Sequence, residues 1–463
     1  MSDAITDRTD GVYDAFHSNE RLQDAFTTGA LPVSVYGLGK MGLPLAAVFA
    51  DVTGNVHGVD IDPSIVDAVN DGRCHVKREP GLPSLVERSV ANEALVATTD
   101  PREASKEATI HVVIVPTPIT DDNEPDLSIL DTVVEDIGHG LEAGDLVLIE
   151  CTVPPRTTRD RVVPRLEAVS GLTRDEFGVS VCPERTSSGR ALEDIRGAYP
   201  KVVGGIDEES TRIAEVIYDE INDTGVIPVG DATTAEAVKV FEGVYRDVNI
   251  ALANELATFT DELGIDVREA IDVANTQPYC DIHEPGPGVG GHCIPFYPYF
   301  LIDPFETDAP LLETARMVND SMPGFTVEQL REALEVTGRT LADATVLVLG
   351  LTYRPGVEEI RASPSLAIAE RLSQAGSEVY GVDPMLESAE EFALELITLE
   401  EMGELALDGI ILVTPHEEFE TIRWSELEAD DRTVVVDGRD SIEPSALESA
   451  AQRVYTIGGG HNV

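Results

Sequence analysis

The chain has 463 residues, which is too long for one ordinary domain and predicts two or three. Its 86 acidic residues against 32 basic ones give a formal net charge of −54, which disfavours binding to nucleic-acid phosphate. The carboxylates are spread along the whole chain, which indicates an acidic, halophilic surface whose self-repulsion is screened at high salt. The sequence offers neither a membrane-spanning apolar run nor a secretory signal, so we expect a cytoplasmic protein without membrane contact.

The cysteines are odd in number and widely spaced, at Cys74, Cys151, Cys182, Cys280 and Cys293. No CxxC pair and no zinc-ligand spacing occurs among them. A disulfide framework and a metal site are therefore not expected, and any cysteine with a chemical role should be a free thiol.

The first strands begin after an acidic N-terminal extension that we assign to residues 1–30. From Pro32 onwards, short β-branched runs alternate with amphipathic stretches. The runs that we interpret as strands are VSVYG, VHGVD, IHVVIVP, DLVLIE, GVSVCP and KVVGG. This alternation is typical of a mostly parallel, doubly wound sheet, which we place at residues 31–231.

A long stretch with a helical pattern and without internal proline follows. A long helix of this kind is typical of a domain junction or a dimer interface. We assign residues 232–325 to a central helical segment that serves dimerisation and the active site. A second strand–turn–helix–strand pattern begins at ATVLVLGLTYRPG and fills residues 326–463. The predicted fold class is therefore α/β, with two Rossmann-like, doubly wound domains joined by a long central helix.

A glycine-rich turn follows the first strand and opens a helix. Its six residues are Gly37, Leu38, Gly39, Lys40, Met41 and Gly42. Glycines at this spacing allow a tight turn, a close approach of backbone to pyrophosphate, and helix-on-strand packing. Asp60 ends the next strand, where an acid bonds the ribose 2′-hydroxyl and repels a 2′-phosphate. The pattern predicts a binding site for NAD and disfavours NADP.

A second glycine-rich run, EPGPGVGGHC, ends at Cys293. Glycines at this density suit a loop whose backbone closely approaches a ligand. The cysteine at its end is placed like a nucleophile, although a buried structural thiol on an irregular loop fits the same pattern.

Many motifs occur together in one order along the chain. They are GLGKMG, DIDP, EPGL, VPTP, CTVPP, CPERTSSG, YRDVNIALANEL, PGPGVGGHC, ARMVND, GLTYRPGVEEIRASP, VTPHEEF and VDGRD. From Pro32 to the C-terminus this series resembles the UDP-glucose/GDP-mannose dehydrogenase family, and most closely its branch acting on UDP-N-acetylhexosamines.

The resemblance implies oxidation of the C6 hydroxyl of a UDP-sugar to a carboxylate in two NAD-dependent steps. Cys293 would capture the intermediate aldehyde as a thiohemiacetal that becomes a thioester. Lys239 would stabilise the oxyanion. Glu184 and Thr152 would position water and relay protons. Thr117 would lie at a strand's carboxyl end, where cofactor contacts collect.

The resemblance also implies a substrate site and a partner. Gly290 and Gly291 of the loop, with Arg354, Arg361 and Arg439 of the second domain, would contact the substrate. Arg354 replaces the family's lysine and would bind phosphate as a planar fork. The expected substrate is UDP-N-acetyl-D-mannosamine, with UDP-GlcNAc and UDP-glucose as alternatives, and the expected assembly is a homodimer.

Three positions depart from the family pattern. The family carries Asp where this chain has Tyr297, Asn where it has Gly243, and commonly Gly where it has Arg156. Loss of an oxyanion donor can cost about 10²–10³ in rate. The alternative reading is therefore a catalytically impaired paralogue that binds a nucleotide sugar. By contrast, Ser188 and Asn249 fit the N-acetylhexosamine branch.

Overall fold

A computed structural model describes most of the chain, in two compact units. The described residues are 11–16, 18–424, 433–442 and 453–462. The first unit comprises Met1–Phe241 and Tyr299–Pro304, and the second comprises Glu242–Pro298 and Phe305–Val463. Residues 1–10 and 17 of the predicted N-terminal extension lie outside the described part of the chain.

The first unit is built on one eight-stranded sheet in the order β3-β2-β1-β4-β5-β6-β7-β8. Its strands are β1 (Val33–Tyr36), β2 (Val56–Val59), β3 (Leu95–Thr98), β4 (Ile110–Val113), β5 (Leu146–Ile149), β6 (Gly178–Val181), β7 (Lys201–Gly205) and β8 (Val226–Pro228). Neighbouring strands are parallel except β6 and β7, which pair antiparallel. The strand order reverses between β1 and β4, which is where doubly wound folds bind their ligands.

Helices surround this sheet. They are α1 (Asn19–Thr27), α2 (Gly42–Thr53), α3 (Pro63–Asn70), α4 (Leu82–Ala91), α5 (Pro101–Glu107), α6 (Ser128–Gly138), α7 (Val163–Ser170), α8 (Ala191–Glu193) and α9 (Glu208–Asp219), with π-helical turns at Thr158–Val162 and Asp194–Ala198. Asp62, Asp100 and Asp207 cap their helices by accepting first-turn N–H groups, which are otherwise unsatisfied.

The described part of the N-terminal extension packs into the first unit. Val12, Leu22 and Phe26 are buried in its core. The Val12 N–H donates to the Gly144 carbonyl at 2.6 Å. Residues 11–16 and 18–30 thus fold with the first sheet, because three apolar side chains within an acidic segment are buried there.

The central segment contains two long helices and several short ones. They are α10 (Ala232–Ala257), α11 (Thr260–Leu263), α12 (Val267–Ala274), α13 (Tyr299–Ile302) and α14 (Pro310–Val336). The boundary between the two units falls within α10. The segment is not one continuous helix: α10 ends at Ala257, and Gly264, with a φ of 64°, ends the short α11.

The second unit contains a seven-stranded sheet in the order β11-β10-β9-β12-β13-β14-β15. Its strands are β9 (Thr345–Leu349), β10 (Glu378–Val382), β11 (Glu395–Leu396), β12 (Gly409–Leu412), β13 (Val434–Asp437), β14 (Arg453–Thr456) and β15 (Gly460–Asn462). Helices α15 (Pro364–Ala375) and α16 (Leu399–Met402) follow β9 and β11, and 3₁₀ turns lie at Leu341–Asp343 and Glu417–Thr421. Among the described strands of this sheet, β14 and β15 are the one pair that runs antiparallel.

Two parallel-sheet α/β domains with a helix-rich region between them in sequence confirm the predicted fold class. No helix among the described residues is long and apolar enough to cross a bilayer. The same residues contain no group of three or more His, Cys, Asp or Glu side chains that could hold a metal ion.

Candidate active site

The glycine-rich turn after β1 lies at the carboxyl edge of the first sheet, at its reversal point. Gly37 has a φ of 97°, and a Cβ there would lie within 3.0 Å of the Ile114 carbonyl. A Cβ at Gly42 would likewise collide with the Gly37 carbonyl. A Cβ at Gly39 would meet no protein atom within 4 Å, so its backbone faces open space. This geometry fits a bound pyrophosphate, which needs backbone access at the start of a helix.

Asp60 follows β2 beside this turn and is half-buried. Its Oδ2 accepts the Leu38 N–H at 2.9 Å, and its Oδ1 accepts the Asp62 N–H at 3.0 Å. The buried Leu38 side chain anchors the turn, whereas Lys40 is exposed and Met41 is half-buried. A half-exposed carboxylate retains acceptor capacity for a ribose hydroxyl, as the sequence predicts.

Three further predicted residues follow β4, β5 and β6 at the same sheet edge. Thr117 donates from Oγ1 to the Thr152 carbonyl at 2.5 Å. Glu184 accepts the Thr186 N–H, and the Thr186 hydroxyl lies 3.0 Å from the Met41 sulfur. Because carboxyl ends of adjacent parallel strands share an edge, the structure brings the glycine turn and these side chains to one region.

A buried ionic cluster lies beneath this edge, and the sequence analysis missed it. Lys201 Nζ is 2.6 Å from Glu150 Oε2, and the Tyr218 hydroxyl bonds the other carboxylate oxygen. Burial raises the pKa of Glu150 despite the neighbouring ammonium. The Glu150 carbonyl accepts the Glu184 N–H at 3.1 Å, so the cluster supports the loops after β5 and β6. Nothing in the spacing of these residues predicts that they meet.

Lys239 lies on α10, half-buried, one turn after Glu236. Glu236 is buried and accepts backbone N–H groups from Arg156 at 2.5 Å and Thr158 at 2.7 Å. These bonds tie the start of α10 to the loop that follows Thr152. Arg156 has a φ of 80°, a left-handed conformation that glycine adopts at little cost.

The second glycine-rich loop lies on the carboxyl edge of the second sheet. The Gly291 N–H donates to the Arg361 carbonyl at 2.9 Å. A Cβ at Gly290 or Gly291 would contact the Tyr353 side chain at 2.5 Å or 3.0 Å. Larger residues would therefore lift the loop from the turn after β9.

Cys293 ends this loop and is half-buried, whereas Cys151 and Cys182 are buried. The neighbouring His292 hydrogen-bonds the Cys293 side chain, and this bond raises the pKa of His292. Burial, with the charge of Cys293 as a smaller cause, raises the pKa of Tyr353. The thiol thus has an imidazole beside it that can stabilise a thiolate. His292 was not among the residues predicted from the sequence, although GGHC places it next to the cysteine.

Two asparagines of α10 hold the chain that leads to Cys293. Asn249 donates to the Asp281 carbonyl at 2.6 Å and accepts the His283 N–H at 2.8 Å. Asn254 accepts the Gly286 N–H at 2.8 Å. These bonds connect the helix α10 to the segment that contains the glycine-rich loop.

A buried network supports those asparagines from α14. Asn254 donates to Asn319 at 2.9 Å, and Asn319 donates to Asp247 at 2.8 Å. Arg316 pairs with Asp247 at 2.5 Å. Removing one partner of such a buried pair is costly, so the YRDVNIALANEL and ARMVND motifs have a structural role beneath the loop.

The three predicted substrate arginines differ in their surroundings. Arg354 and Arg361 are exposed beside the loop. Arg439 is half-buried and reaches the Gly288 carbonyl at 3.3 Å. Burial, with the charge of Arg268, lowers the pKa of Arg439 to about 10. Arg439 therefore supports the loop backbone in addition to any ligand contact.

Asp383 ends β10 and is fully enclosed. Its Oδ2 accepts the Leu351 N–H at 2.7 Å, the Thr352 N–H at 2.8 Å and the His416 Nε2–H at 3.1 Å. Burial pushes the pKa of Asp383 upward, but the hydrogen bonds from His416 and Thr352 lower it overall. The VTPHEEF motif thus contributes His416 to the turn after β9, which the sequence analysis did not identify.

A mostly parallel sheet with a glycine turn at its reversal point and an acid on the next strand defines a dinucleotide-binding domain. The UDP-glucose/GDP-mannose dehydrogenase family matches in all three parts: its NAD binding domain at residues 31–222, its central domain at 233–321 and its UDP binding domain at 347–444. The chain belongs to this family.

Two curated relatives and one solved structure define the likeness further. The UDP-N-acetyl-D-mannosamine dehydrogenase of Pyrococcus horikoshii is 36% identical over 414 residues, which cover 89% of this chain and 96% of the relative. The NDP-N-acetyl-D-galactosaminuronic acid dehydrogenase of Ralstonia nicotianae is 35% identical and covers 88% of this chain and 95% of its own. The solved structure of the Pyrococcus horikoshii UDP-D-ManNAc dehydrogenase has a TM-score of 0.84 at 33% identity, over 93% of this chain and 100% of that one. This chain is therefore a nucleotide-sugar dehydrogenase with NAD as its cofactor.

Proposed function

We propose that the protein oxidises the C6 hydroxyl of UDP-N-acetyl-D-mannosamine to the carboxylate in two NAD-dependent steps. The observation that carries this proposal is Cys293, half-buried at the end of a backbone-anchored glycine loop and hydrogen-bonded to His292. The named activity of the Pyrococcus horikoshii relative supports the choice of sugar. UDP-GlcNAc and UDP-glucose are alternatives, because a difference at one carbon of the sugar changes a few pocket contacts and produces no motif in the protein sequence.

The chain's own residues supply the covalent part of the reaction. The Cys293 thiolate adds to the C6 aldehyde, and the resulting thiohemiacetal loses hydride to become a thioester. Water then adds to the thioester carbonyl and releases the carboxylate and the thiol. Lys239 stabilises the oxyanion of each tetrahedral species. Glu184 and Thr152 orient water and carry protons.

The cofactor is held by the first sheet. Gly37, Gly39 and Gly42 would admit the pyrophosphate of NAD, Asp60 would accept a ribose hydroxyl, and Thr117 would lie beside the cofactor. When bound, NAD would supply the hydride acceptor for each oxidation. Gly290, Gly291, Arg354, Arg361 and Arg439 bind the UDP-sugar, with the exposed guanidinium groups directed to its phosphates.

The test is the NADH yield in high salt from a panel of UDP-sugars. UDP-N-acetyl-D-mannosamine should give about two NADH per sugar, because the thioester route couples both oxidations. Cys293→Ala should give at most about one, with free aldehyde, since no thiohemiacetal forms. Cys280→Ala is the matched control, because Cys280 is also half-buried. Two NADH from the Cys293→Ala variant would contradict the covalent route.

A second candidate function is nucleotide-sugar binding without full turnover, and it is motivated by Gly243 and Tyr297 at positions where the family has Asn and Asp. It requires saturable binding of NAD or UDP-sugar without product. Measurable turnover by the wild-type protein would exclude it.

We further propose that the protein is a cytoplasmic homodimer in a salt-rich cell. Phe241, Tyr245 and Leu252 expose 57%, 51% and 48% of their surface along α10. Their spacing places them on one side of the helix, and apolar patches of this kind mark interfaces. Leu252→Asp should yield monomers in sedimentation analysis, whereas Glu255→Gln on the same helix should not. A Leu252→Asp protein that still sediments as a dimer would remove this face from the interface.

A further inference from the structure

The two family departures at Gly243 and Tyr297 occupy one place in the second unit. Gly243 is buried in α10, and the three heavy atoms nearest to a Cβ built on it all belong to Tyr297. The ring atom Cδ2 would lie inside 3.0 Å of that Cβ, and Tyr297 Cβ and Cγ would lie at 3.1 Å. The ring of Tyr297 therefore fills the space that a side chain at residue 243 would need.

Glycine has a cost at this position, which indicates a specific reason for it. Gly243 lies in the interior of a 26-residue helix, where glycine is among the least favourable residues. Its φ is not positive, so the helix itself does not require glycine. Glycine is needed here because the Tyr297 ring packs directly on the helix backbone and leaves no room for a side chain.

Tyr297 is connected to the thiol. Its side chain is only 6% exposed, and its N–H donates to the Cys293 carbonyl at 3.0 Å. The atoms that meet Gly243 include Cβ and Cγ, which cannot swing away as the end of a flexible side chain could. Any displacement of Cβ and Cγ of Tyr297 therefore moves the turn that carries Cys293.

We propose that Gly243 and Tyr297 form a matched pair in which the ring, seated on the bare helix backbone, sets the position of the Cys293 turn. This rests on the proposed function, since it makes Tyr297 a positioning residue for the reacting thiol. Tyr297 acts through its shape.

The test is a double-mutant cycle with Gly243→Ala and Tyr297→Ala. Gly243→Ala alone should lower kcat for the UDP-sugar by about ten- to hundredfold, because a misplacement on the order of 1 Å can cost that much. The double variant should be clearly more active than the product of the two single effects, because removing the ring makes room for the new methyl. Tyr297→Phe, which keeps the ring, should stay close to wild type in kcat and KM.

A second measurement does not depend on turnover. The rate at which iodoacetamide alkylates Cys293 is followed against pH by peptide mass spectrometry, with Cys74 and Cys280 in the same sample as internal controls. Gly243→Ala should change the Cys293 rate several-fold, and the double variant should bring it back towards wild type, while the control cysteines stay constant. If the wild-type protein oxidises no UDP-sugar, the proposed function fails while this measurement still decides the pair.

Three results would overturn the proposal. One is a Gly243→Ala protein with wild-type kcat and wild-type alkylation of Cys293. Another is a double variant whose effects equal the product of the single ones. If Gly243→Ala does not fold, failure of Tyr297→Ala to restore folding would count equally against the pair.

Discussion

The two sheets carry the same turn after their first strand, and they use it differently. Gly37 after β1 and Gly350 after β9 have φ values of 97° and 84°. In each sheet a Cβ on that glycine would collide with a carbonyl of the adjacent strand's end. In each sheet an acid at the end of the second strand, Asp60 or Asp383, accepts the N–H of the residue after the glycine.

The difference lies in what else surrounds the acid. Asp60 is half-buried, and in the described contacts its oxygens accept hydrogen bonds from two backbone N–H groups. Asp383 is buried and also accepts hydrogen bonds from the side chains of Thr352 and His416. In the first sheet α2 begins at the turn and leaves Gly39 open, whereas in the second the next helix begins only at Pro364. One turn is therefore kept available for a ligand, and the other is closed by protein groups.

The largest expected effect comes from Asp383→Asn. The amide would face donors that the carboxylate now satisfies, so we expect a loss of about 3 kcal/mol in the unfolding free energy. The NAD affinity of the folded protein should not change. Urea unfolding and NAD titration measure the two quantities, and weakened NAD binding at full stability would contradict the comparison.

Asp60→Asn is the matched change in the first sheet. Because Asp60 is half-exposed, water can replace part of its bonding and the stability loss should be about 1 kcal/mol or less. The dissociation constant of NAD should rise about ten- to hundredfold as the charged ribose contact is lost. NADP should be discriminated against less strongly. A variant that still excludes NADP as the wild type does would show that Asp60 does not select the cofactor.

The two units also carry buried acids whose pKa values move in opposite directions. Burial raises the pKa of Glu236 from 4.5 to about 7, so its contribution to stability is present at low pH and is lost as pH rises through 7. The pKa of Asp383 is lowered overall, so its contribution is present above its ordinary value of 3.8 and is lost as pH falls.

The measurement is the unfolding free energy against pH at about 1 M salt, which screens surface repulsion. Glu236→Gln should flatten the decline between about pH 4.5 and pH 7 by on the order of 1–3 kcal/mol. Asp383→Asn should flatten the decline in acid instead. Glu255 is an exposed acid on α10, so Glu255→Gln is the control and should change neither the decline in acid nor the decline towards neutral pH.

The smallest effect concerns Arg156, which adopts a positive φ in the first unit. Arg156→Gly should stabilise the protein by up to about 1 kcal/mol, because glycine accepts this conformation without strain. Arg156→Ala removes the same side chain but keeps the strain, so it should not stabilise. Equal thermal midpoints for the two variants would assign the effect to the side chain's ion pair with Asp160.

Much of the fold could be predicted because its strands are continuous β-branched runs bounded by glycine or proline. The strands that were not predicted include LVAT in β3 and the two-residue EL in β11. A two-residue strand carries no periodicity by which it could be identified. The position of the N-terminal helix α1 within residues 1–30 could not be predicted, because its few buried side chains are separated by charges.

The candidate site could be predicted only where a motif combines residues that are close in the chain. The glycine turn with Asp60 is such a case, as is the loop that ends at Cys293. The ionic cluster of Glu150 and Lys201 joins residues 51 positions apart. His416 likewise reaches Asp383 across 33 positions, and spacing alone does not reveal such contacts.

The fit of the Tyr297 ring on Gly243 has a consequence for how this region can change. A side chain at position 243 and an aromatic ring at position 297 would occupy the same volume. A larger residue at position 243 is therefore accepted only after the ring has been removed, so changes at these two positions follow a fixed order.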